Sequence, residues 1–574
     1  MLDIDQVVTK NFPKVAAKPW LFSRPVKSAL RMLFHERELQ KFQAQYPHLQ
    51  GLDFVEQILD HFDFSYTINA KELERIPSTG RVVIVANHPL GTLDAAVLLK
   101  LVGQVRTDVK AVANQVLSSI QPIHGLLLPV DNMGGNTKPS QLKAVYQHLQ
   151  HEGAVIIFPA GEVSRLSASG IKDGKWNRSF LQIASASRAP ILPIYVNGRN
   201  SAFFYALSWL ARPLSTLWLV REMYKQAKRS VAVSIGKLIP GEALEHVKLP
   251  MDAKAKLMKK HLYRLGSHKP ALFETISPIA HPEKRQALRQ ELQACERLGQ
   301  TQDGKQIYLA EYHADSSLMR EIGRLREIAF RAVGEGTGSR RDVDKYDSHC
   351  FQLVLWDEQD LEIVGAYRLC KIQEVLQTSP DDEPLYSQTL FHFSPAMQPM
   401  MEQGLELGRS FVQPRYWGRR SLDYLWYGIG AFLRQHPEYR YLLGPVSLSD
   451  HYPAAAKDLL VYFYTLYFGD KDCKVTAKFP YRIAPHTQEE LAKQFSGQDY
   501  KKDFMHLKSS LKHMGCTVPT LYKQYTEICQ PEGVSFLDFN IDPDFANCID
   551  GLVVVDLTQL HEKTRKRYIE WEVK

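Results

Sequence analysis

The chain has 574 residues, 44% of them hydrophobic and 23% charged, and a formal net charge of +8. A length of this order exceeds one core and implies two large units, or three to four smaller ones at roughly 100–200 residues each. The composition excludes a fibrous or disordered chain. A charge this modest suits an anionic membrane surface or an acidic protein partner as well as nucleic acid, and selects none of them.

Residues 1–60 read as mostly helical. Trp20, Leu21, Phe22, Leu30, Met32, Leu33 and Phe34 interleave with Arg24, Lys27, Arg31, Arg37 and Lys41. An apolar face with basic flanks fits a helix at a lipid interface, or one docked on a neighbour. From 61 to 265 strand and helix alternate. Strand-like runs are Val82–Ala86, Leu126–Val130, Val155–Phe158, Ile191–Val196 and Val231–Ile235, with helical stretches such as Ser140–His151 and Phe180–Ser187 between them. Such alternation predicts an α/β domain with a largely parallel sheet. Within it, Ser201–Val220 has the length of a membrane span but carries Arg212 and Pro213 near its middle. A central Arg costs about 2.5–3.5 kcal/mol on insertion, so two short apolar helices are expected, covering a core or dipping into a bilayer surface.

Residues 266–305 read as a connector, with Pro270, Pro278 and Pro282 and then one polar helix from Glu283 to Leu298 stopped by Gly299. From 306 to 574 a second α/β unit is expected, a mixed sheet flanked by helices. Its strands are Gln306–Glu311, Cys350–Trp356, Leu361–Leu369 and Leu405–Val412, with a helix from Leu318 to Val333. The seven cysteines, at 295, 350, 370, 473, 516, 529 and 548, form no Cys-x-x-Cys pair. Neither a zinc site nor a disulfide scaffold is expected, and with no secretory signal the expectation is reduced thiols in the cytoplasm.

The first group of chemical residues follows the buried strand Val82–Ala86. Asn87-His88-Pro89-Leu90-Gly91 breaks the strand, and Asp94 precedes Ala95–Leu99 in the position of a helix N-cap. A short loop can fold Asp94 onto His88, an arrangement that suits a general base with its orienting carboxylate. A histidine of this kind can take the proton of a hydroxyl near neutral pH. Backbone N–H groups at the loop or helix start are expected to hold the oxyanion. Further loops follow strands at Leu128–Asn132 and at Phe158-Pro159-Ala160-Gly161-Glu162, with Arg165 placed to bind an anionic head group.

These residues resemble the glycerolipid acyltransferase superfamily over residues 75–240, with its His-x4-Asp and Phe-Pro-Glu-Gly motifs. Here five residues separate His88 from Asp94, and Glu162 follows Gly161. Both variants are similar to the haemolysin-like subgroup, which includes the O-acylating half of bifunctional ornithine lipid synthases. The resemblance implies His88 as base and Asp94 as its orienter. It implies Asn87, Phe158, Pro159, Gly161, Glu162 and Arg165 as substrate-site residues.

The second group runs through Arg326 and Phe330 on a helix, Asp342, Asp344 and Asp347 on the following loop, Arg368 in a strand, and Glu406, Arg409 and Ser410 in another. Glu406 and Arg409 would point oppositely on a regular strand, and Gly408 marks the place for a bulge. Gln413–Trp426 then leads a glycine loop, with Arg415, Gly418, Arg419 and Arg420, into an apolar helix whose start can receive phosphate.

Together these resemble the N-acyltransferase branch of the GNAT superfamily over 306–560. The resemblance implies Arg326, Phe330, Asp344, Asp347, Arg368, Arg409 and Ser410 as substrate-site groups and Arg415, Gly418, Arg419 and Arg420 around the donor's phosphopantetheine, and Glu406 is the candidate base. The fold implied is α/β throughout, a glycerolipid-acyltransferase-like domain followed by a GNAT-like domain with a mixed sheet. The pair, in this order, resembles bifunctional ornithine lipid synthases. That implies N-acylation of ornithine with a 3-hydroxyacyl chain on acyl carrier protein, then O-acylation of the new hydroxyl, at the cytoplasmic face of the bacterial inner membrane. No metal, cofactor or nucleic-acid partner is expected. The alternatives are another amino acid, such as glycine, glutamine or lysine, or a single-function lysophospholipid acyltransferase.

Overall fold

The computed structural model describes residues 36–113, 120–130, 139–167, 170–210, 212–379 and 382–570. The basic-flanked stretch Trp20–Phe34 and the pair Asp131 and Asn132 lie outside the described residues. The chain divides into two compact units, Met1–His281 and Pro282–Lys574.

The strands of the first unit are β1 (Ser65–Thr67), β2 (Val82–Ala86), β3 (Val109–Ala113), β4 (Leu127–Pro129), β5 (Ala154–Ile157), β6 (Arg165–Ser167), β7 (Gly170–Lys172), β8 (Ile191–Asn197) and β9 (Ser230–Ile235). Seven of them form one sheet in the order β1-β9-β8-β2-β5-β3-β4, while β6 and β7 pair separately. Within the sheet only β8 and β9 run antiparallel. Strand β2 lies at the centre, and all five of its side chains are 0% exposed. Successive strand residues face opposite ways. Val82, Ile84 and Ala86 therefore pack against the helix Thr92–Gly103, while Val83 and Val85 pack against Pro139–Gln150, Ser179–Ser187 and Met251–Leu265. Burial on both faces explains why β2 reads as an unbroken apolar run. Burial of each large aliphatic side chain contributes about 1.5–3 kcal/mol, so the strand end that carries His88 is firmly anchored. Ser201–Val220 forms two helices, as its Arg-Pro interruption implies. They are Ala202–Leu210 and Arg212–Lys225, the second running beyond the apolar stretch.

The second unit contains β10 (Glu296–Gln300), β11 (Gln306–Ala310), β12 (Phe351–Asp357), β13 (Glu362–Lys371), β14 (Phe391–Phe393), β15 (Gly404–Val412), β16 (Tyr441–Leu448), β17 (Val475–Ala477), β18 (Val534–Asp542) and β19 (Cys548–Asp556). Eight form a mixed sheet in the order β10-β11-β12-β13-β15-β16-β19-β18. The helix Ser317–Ala332 packs on one face, and Ser421–Gln435 with Ala454–Phe468 on the other. The one parallel contact, β15 with β16, covers only Gly404–Glu406 against Tyr441–Leu443. Beyond it β15 stays with β13 and β16 stays with β19, so the two strands part.

Two expectations are corrected here. The helix expected from Glu283 to Leu298 spans only Arg285–Gln293, and Gly299 sits inside strand β10, which pairs with β11. The apolar helical face ends at Leu292, whereas Leu298 is buried in the sheet's core as a strand residue. The thiols are not all reduced. Cys350 and Cys370 form a disulfide with their Cα atoms 4.4 Å apart. The register that sets Phe351 against Leu369 brings the two cysteines opposite each other.

Candidate active sites

In the first unit His88 stands just beyond β2, and its Nδ1 lies 3.2 Å from Asp94 Oδ2. The two atoms are in contact without the alignment of a full hydrogen bond, as is common before substrate binds. Asp94 is not the N-cap. Gly91 holds that place with φ +88°, a conformation that favours glycine, and Asp94 is the third helical residue. From there its Oδ2 accepts the N–H groups of Leu90 (2.7 Å) and Gly91 (3.0 Å). Those donors are therefore occupied and do not serve as the expected oxyanion site. Burial raises the Asp94 carboxyl above its ordinary pKa, with His88 and the two N–H groups opposing the shift.

The imidazole stacks on Phe158 at 4.2 Å. Both line a cavity of 940 Å³ whose wall includes Ala95, Ala96, Leu99, Ala111 and Ala113, with Glu162, Lys175, Arg178 and Asp252 as charged groups. Its size lies near the upper end of the roughly 300–1,000 Å³ typical of small-molecule sites.

Gly161 and Glu162 also line this cavity. Pro159 instead gives its carbonyl to the Asn177 N–H (2.9 Å). Asn87 and Arg165 do not present free groups. The Asn87 amide donates to Val196 O (2.8 Å) and accepts from Val196 N (2.7 Å), which locks the end of β2 to β8. Arg165 pairs with Glu162 (2.9 Å) and donates to the hydroxyls of Ser208 and Ser215. The sequence reading missed Asp173. It is 4% exposed and accepts from the His88 N–H (3.2 Å), the Ser164 hydroxyl (2.6 Å) and the Trp176 indole (2.9 Å). It fixes the backbone of His88 from a second loop.

In the second unit the Asp and Arg residues do assemble, but as a buried ion network. Arg326 donates to both oxygens of Asp347 (2.9 and 3.0 Å), and both side chains are 0% exposed. Arg368 donates to Asp344 (2.6 Å), and Arg409 reaches Asp344 (3.1 Å) and Asp342 (3.3 Å). Although burial opposes it, Arg368 and Arg409 hold Asp344 well below the usual carboxylate range. The bulge expected near Gly408 is present one residue later. Register shifts between Ala366 and Arg368, and Arg409 has φ +50°. A bulky residue in that region is strained, a frequent mark of functional sites. The bulge sandwiches the Arg409 guanidinium between Tyr386 (4.5 Å) and Phe545 (4.9 Å).

Where β15 and β16 part there is a cavity of 270 Å³, bordered by Phe330, Arg409, Ser410, Ser447, Glu335 and Asp550 among others. Glu406 is not among its walls. The carboxylate is 2% exposed and accepts from the Ser387 N–H (3.2 Å) and hydroxyl, so it is not presented to this cavity as the expected base.

The donor-loop arginines differ among themselves. Arg415 pairs with Asp360 and Glu362, and Arg420 with Asp423 (3.1 Å). Arg419 is exposed and stacks on Tyr416 (5.5 Å). Gly418 precedes it in the loop that enters Ser421–Gln435.

Over 307 residues the chain is 32% identical to a glycine N(alpha)-acyltransferase of Bacteroides thetaiotaomicron, a match covering 51% of this chain and 90% of that protein. The chain belongs to that acyltransferase family. Residues 325–427 of this acyltransferase match the family described as acetyltransferase (GNAT) domain, and residues 8–265 match the one described as acyltransferase. It is also 29% identical over 274 residues to a lyso-glycine lipid O-acyltransferase of Phocaeicola vulgatus, covering 46% of this chain and 95% of that protein. The likeness to an L-ornithine N(alpha)-acyltransferase of Brucella abortus is 28% over 183 residues, 29% of this chain and 60% of that protein. This is a bifunctional acyltransferase, an N-terminal acyltransferase followed by a GNAT domain. The likeness to ornithine enzymes is more distant and partial, which counts against the expectation of ornithine as the acceptor.

Proposed function

We propose that the acyltransferase makes a glycine lipid in two steps. The second unit N-acylates glycine with a 3-hydroxyacyl thioester, and the first unit esterifies the new hydroxyl with a second acyl chain. What carries the reading is the His88–Asp94 pair opening on an apolar cavity of acyl-chain size, in a chain similar to both enzymes of glycine-lipid formation. With Nδ1 facing Asp94, Nε2 of His88 is left to take the hydroxyl proton as oxygen attacks the thioester carbon. The thiolate leaves as the carbonyl reforms, and the imidazolium returns the proton to it. Acyl carrier protein as donor is supported by the exposed Arg419 and Arg420 at the helix start. A peripheral place on an anionic lipid surface is supported by the exposed Trp209 (87%) and Leu210 (77%), and by Phe203 beside Trp218 (5.1 Å), which has Arg221 and Lys225 over its ring. Among the described residues no helix is long and apolar enough to cross a membrane.

The test is lipid extraction from a host expressing the full chain, with thin-layer chromatography and mass spectrometry. Ninhydrin needs a free amine. It stains an ornithine or lysine lipid through the side chain and leaves a glycine lipid unstained. A new unstained lipid with a glycine fragment is expected, and a stained product with an ornithine fragment would overturn the glycine assignment.

A further inference from the structure

The cavity between β15 and β16 contains two carboxylates that the sequence motifs do not include. Glu335 comes from the end of the helix Ser317–Ala332. Gly334, at φ +80°, turns the chain there, and a Cβ on it would meet the His451 ring at 2.2 Å. The Glu335 N–H then caps the helix at Phe330 O (2.8 Å), and its carboxylate accepts the Ser447 hydroxyl (2.9 Å) from β16. Asp550, on β19, pairs directly across from Ser447. The two acids thus face the gap from different elements, while Arg409 borders it from β15.

We infer that Glu335 is the base that takes a proton from the amino acid's ammonium in this cavity, before the amine attacks the thioester. The inference rests on the function proposed above. An ammonium brought into this half-open cavity meets two acids there, and the ammonium must lose a proton to expose its lone pair. That proton passes to the Glu335 carboxylate and on to solvent. Nitrogen then forms the C–N bond, and the C–S bond breaks. The second nitrogen proton goes to the departing thiolate, so the products are an amide and a thiol. Burial pushes the Glu335 carboxyl up to about 7, with the Ser447 hydroxyl opposing the shift, close to the working range of a general base. Burial, with Asp542 and Glu335 nearby, pushes Asp550 well above the ordinary carboxylate range, so it serves as a neutral hydrogen-bonding partner. The other titratable groups near Glu335 are Cys548, Tyr522, Tyr452 and His451.

The experiment uses the purified full-length chain with glycine and a 3-hydroxyacyl thioester, supplied on acyl carrier protein and on coenzyme A. Wild-type enzyme that acylates no amino acid would defeat the proposed function, and this inference with it. Given wild-type activity, Glu335→Gln should lose about 100-fold or more in kcat, with the KM for glycine changed far less. Ser447→Ala removes the hydrogen bond that favours the carboxylate, so the acidic limb of its kcat profile should move to higher pH. Glu335→Gln should also melt higher than wild type at pH 8 and alike at pH 4. A carboxyl raised by folding lowers stability as pH climbs through its folded pKa. Glu335→Gln retaining kcat within about threefold would overturn the inference while leaving the function standing. Loss of activity in Glu335→Gln with an unmoved limb in Ser447→Ala would make Glu335 a structural group, and would overturn it equally.

Discussion

Replacing Asp94 by asparagine preserves the side chain's shape and removes its charge. The amide oxygen can keep the N–H groups of Leu90 and Gly91, now at 2.7 and 3.0 Å from Oδ2, so the helix start should survive. What changes is the field at His88 as its ring becomes an imidazolium. Across 3.2 Å, a full charge pair at an effective dielectric of about 20 is worth about 5 kcal/mol. An amide dipole retains part of this, leaving a loss of about 3 kcal/mol in the transition state, or roughly a hundredfold in rate. The assay is O-acylation of supplied lyso-lipid, with N-acylation by the same preparation as an internal control. Asp94→Asn should lower the first by roughly two orders of magnitude and leave the second unchanged. O-acylation within about threefold of wild type would refute the assignment of Asp94 as the carboxylate that stabilises the charged base.

Asp173→Ala strips the partners from three buried donors, at about 1–3 kcal/mol for each group left unsatisfied. It should lower the melting temperature by several degrees and depress O-acylation while N-acylation persists. Arg326→Met removes the guanidinium nitrogen that bonds both oxygens of Asp347 in a fully buried place, a loss of about 3–5 kcal/mol readable by urea unfolding. A change below about 1 kcal/mol would mean that the network contributes little to stability. Glu406→Gln should keep N-acylation within about threefold, because its carboxylate is held by Ser387 outside the cavity. Complete loss at an unchanged melting temperature would restore it as the base.

Much of the first site was legible because its signals are local. Strand β2 is buried on both faces, so its apolar run and the break at Asn87 mark the strand end without reference to other segments. His88 lies on the loop and Asp94 in the first turn of the helix that follows it. Asp173 was not legible, since the N–H it holds lies 85 positions away in the chain. Asn87 was implied as a substrate contact by the resemblance alone, and only the neighbouring β8 shows that its amide is held by Val196. In the second unit the Arg–Asp spacing was readable, but whether it marks a site or a scaffold depends on burial. The base expected at Glu406 is tied to Ser387, a partner that its strand spacing does not reveal. Glu335 escaped notice because it gains its setting from Gly334, Ser447 and Asp550, which come from three separate elements. Strand β10 was read as helix because a short polar stretch beside a real helix has no period of its own to contradict it.

The small side chains along the first cavity have a consequence for the membrane. Ala95 and Ala96 come from the helix Thr92–Gly103, and Ala111 and Ala113 from β3, while the proton-transfer groups sit at the loop after β2. In the proposed reading these four methyl groups act as a gauge for the esterified chain. Exchange of one for a larger side chain shortens or narrows the space without touching His88 or Asp94. Chain selection is thereby separable from chemistry, and the thickness and fluidity of the lipid made can be retuned by single substitutions on one helix and one strand.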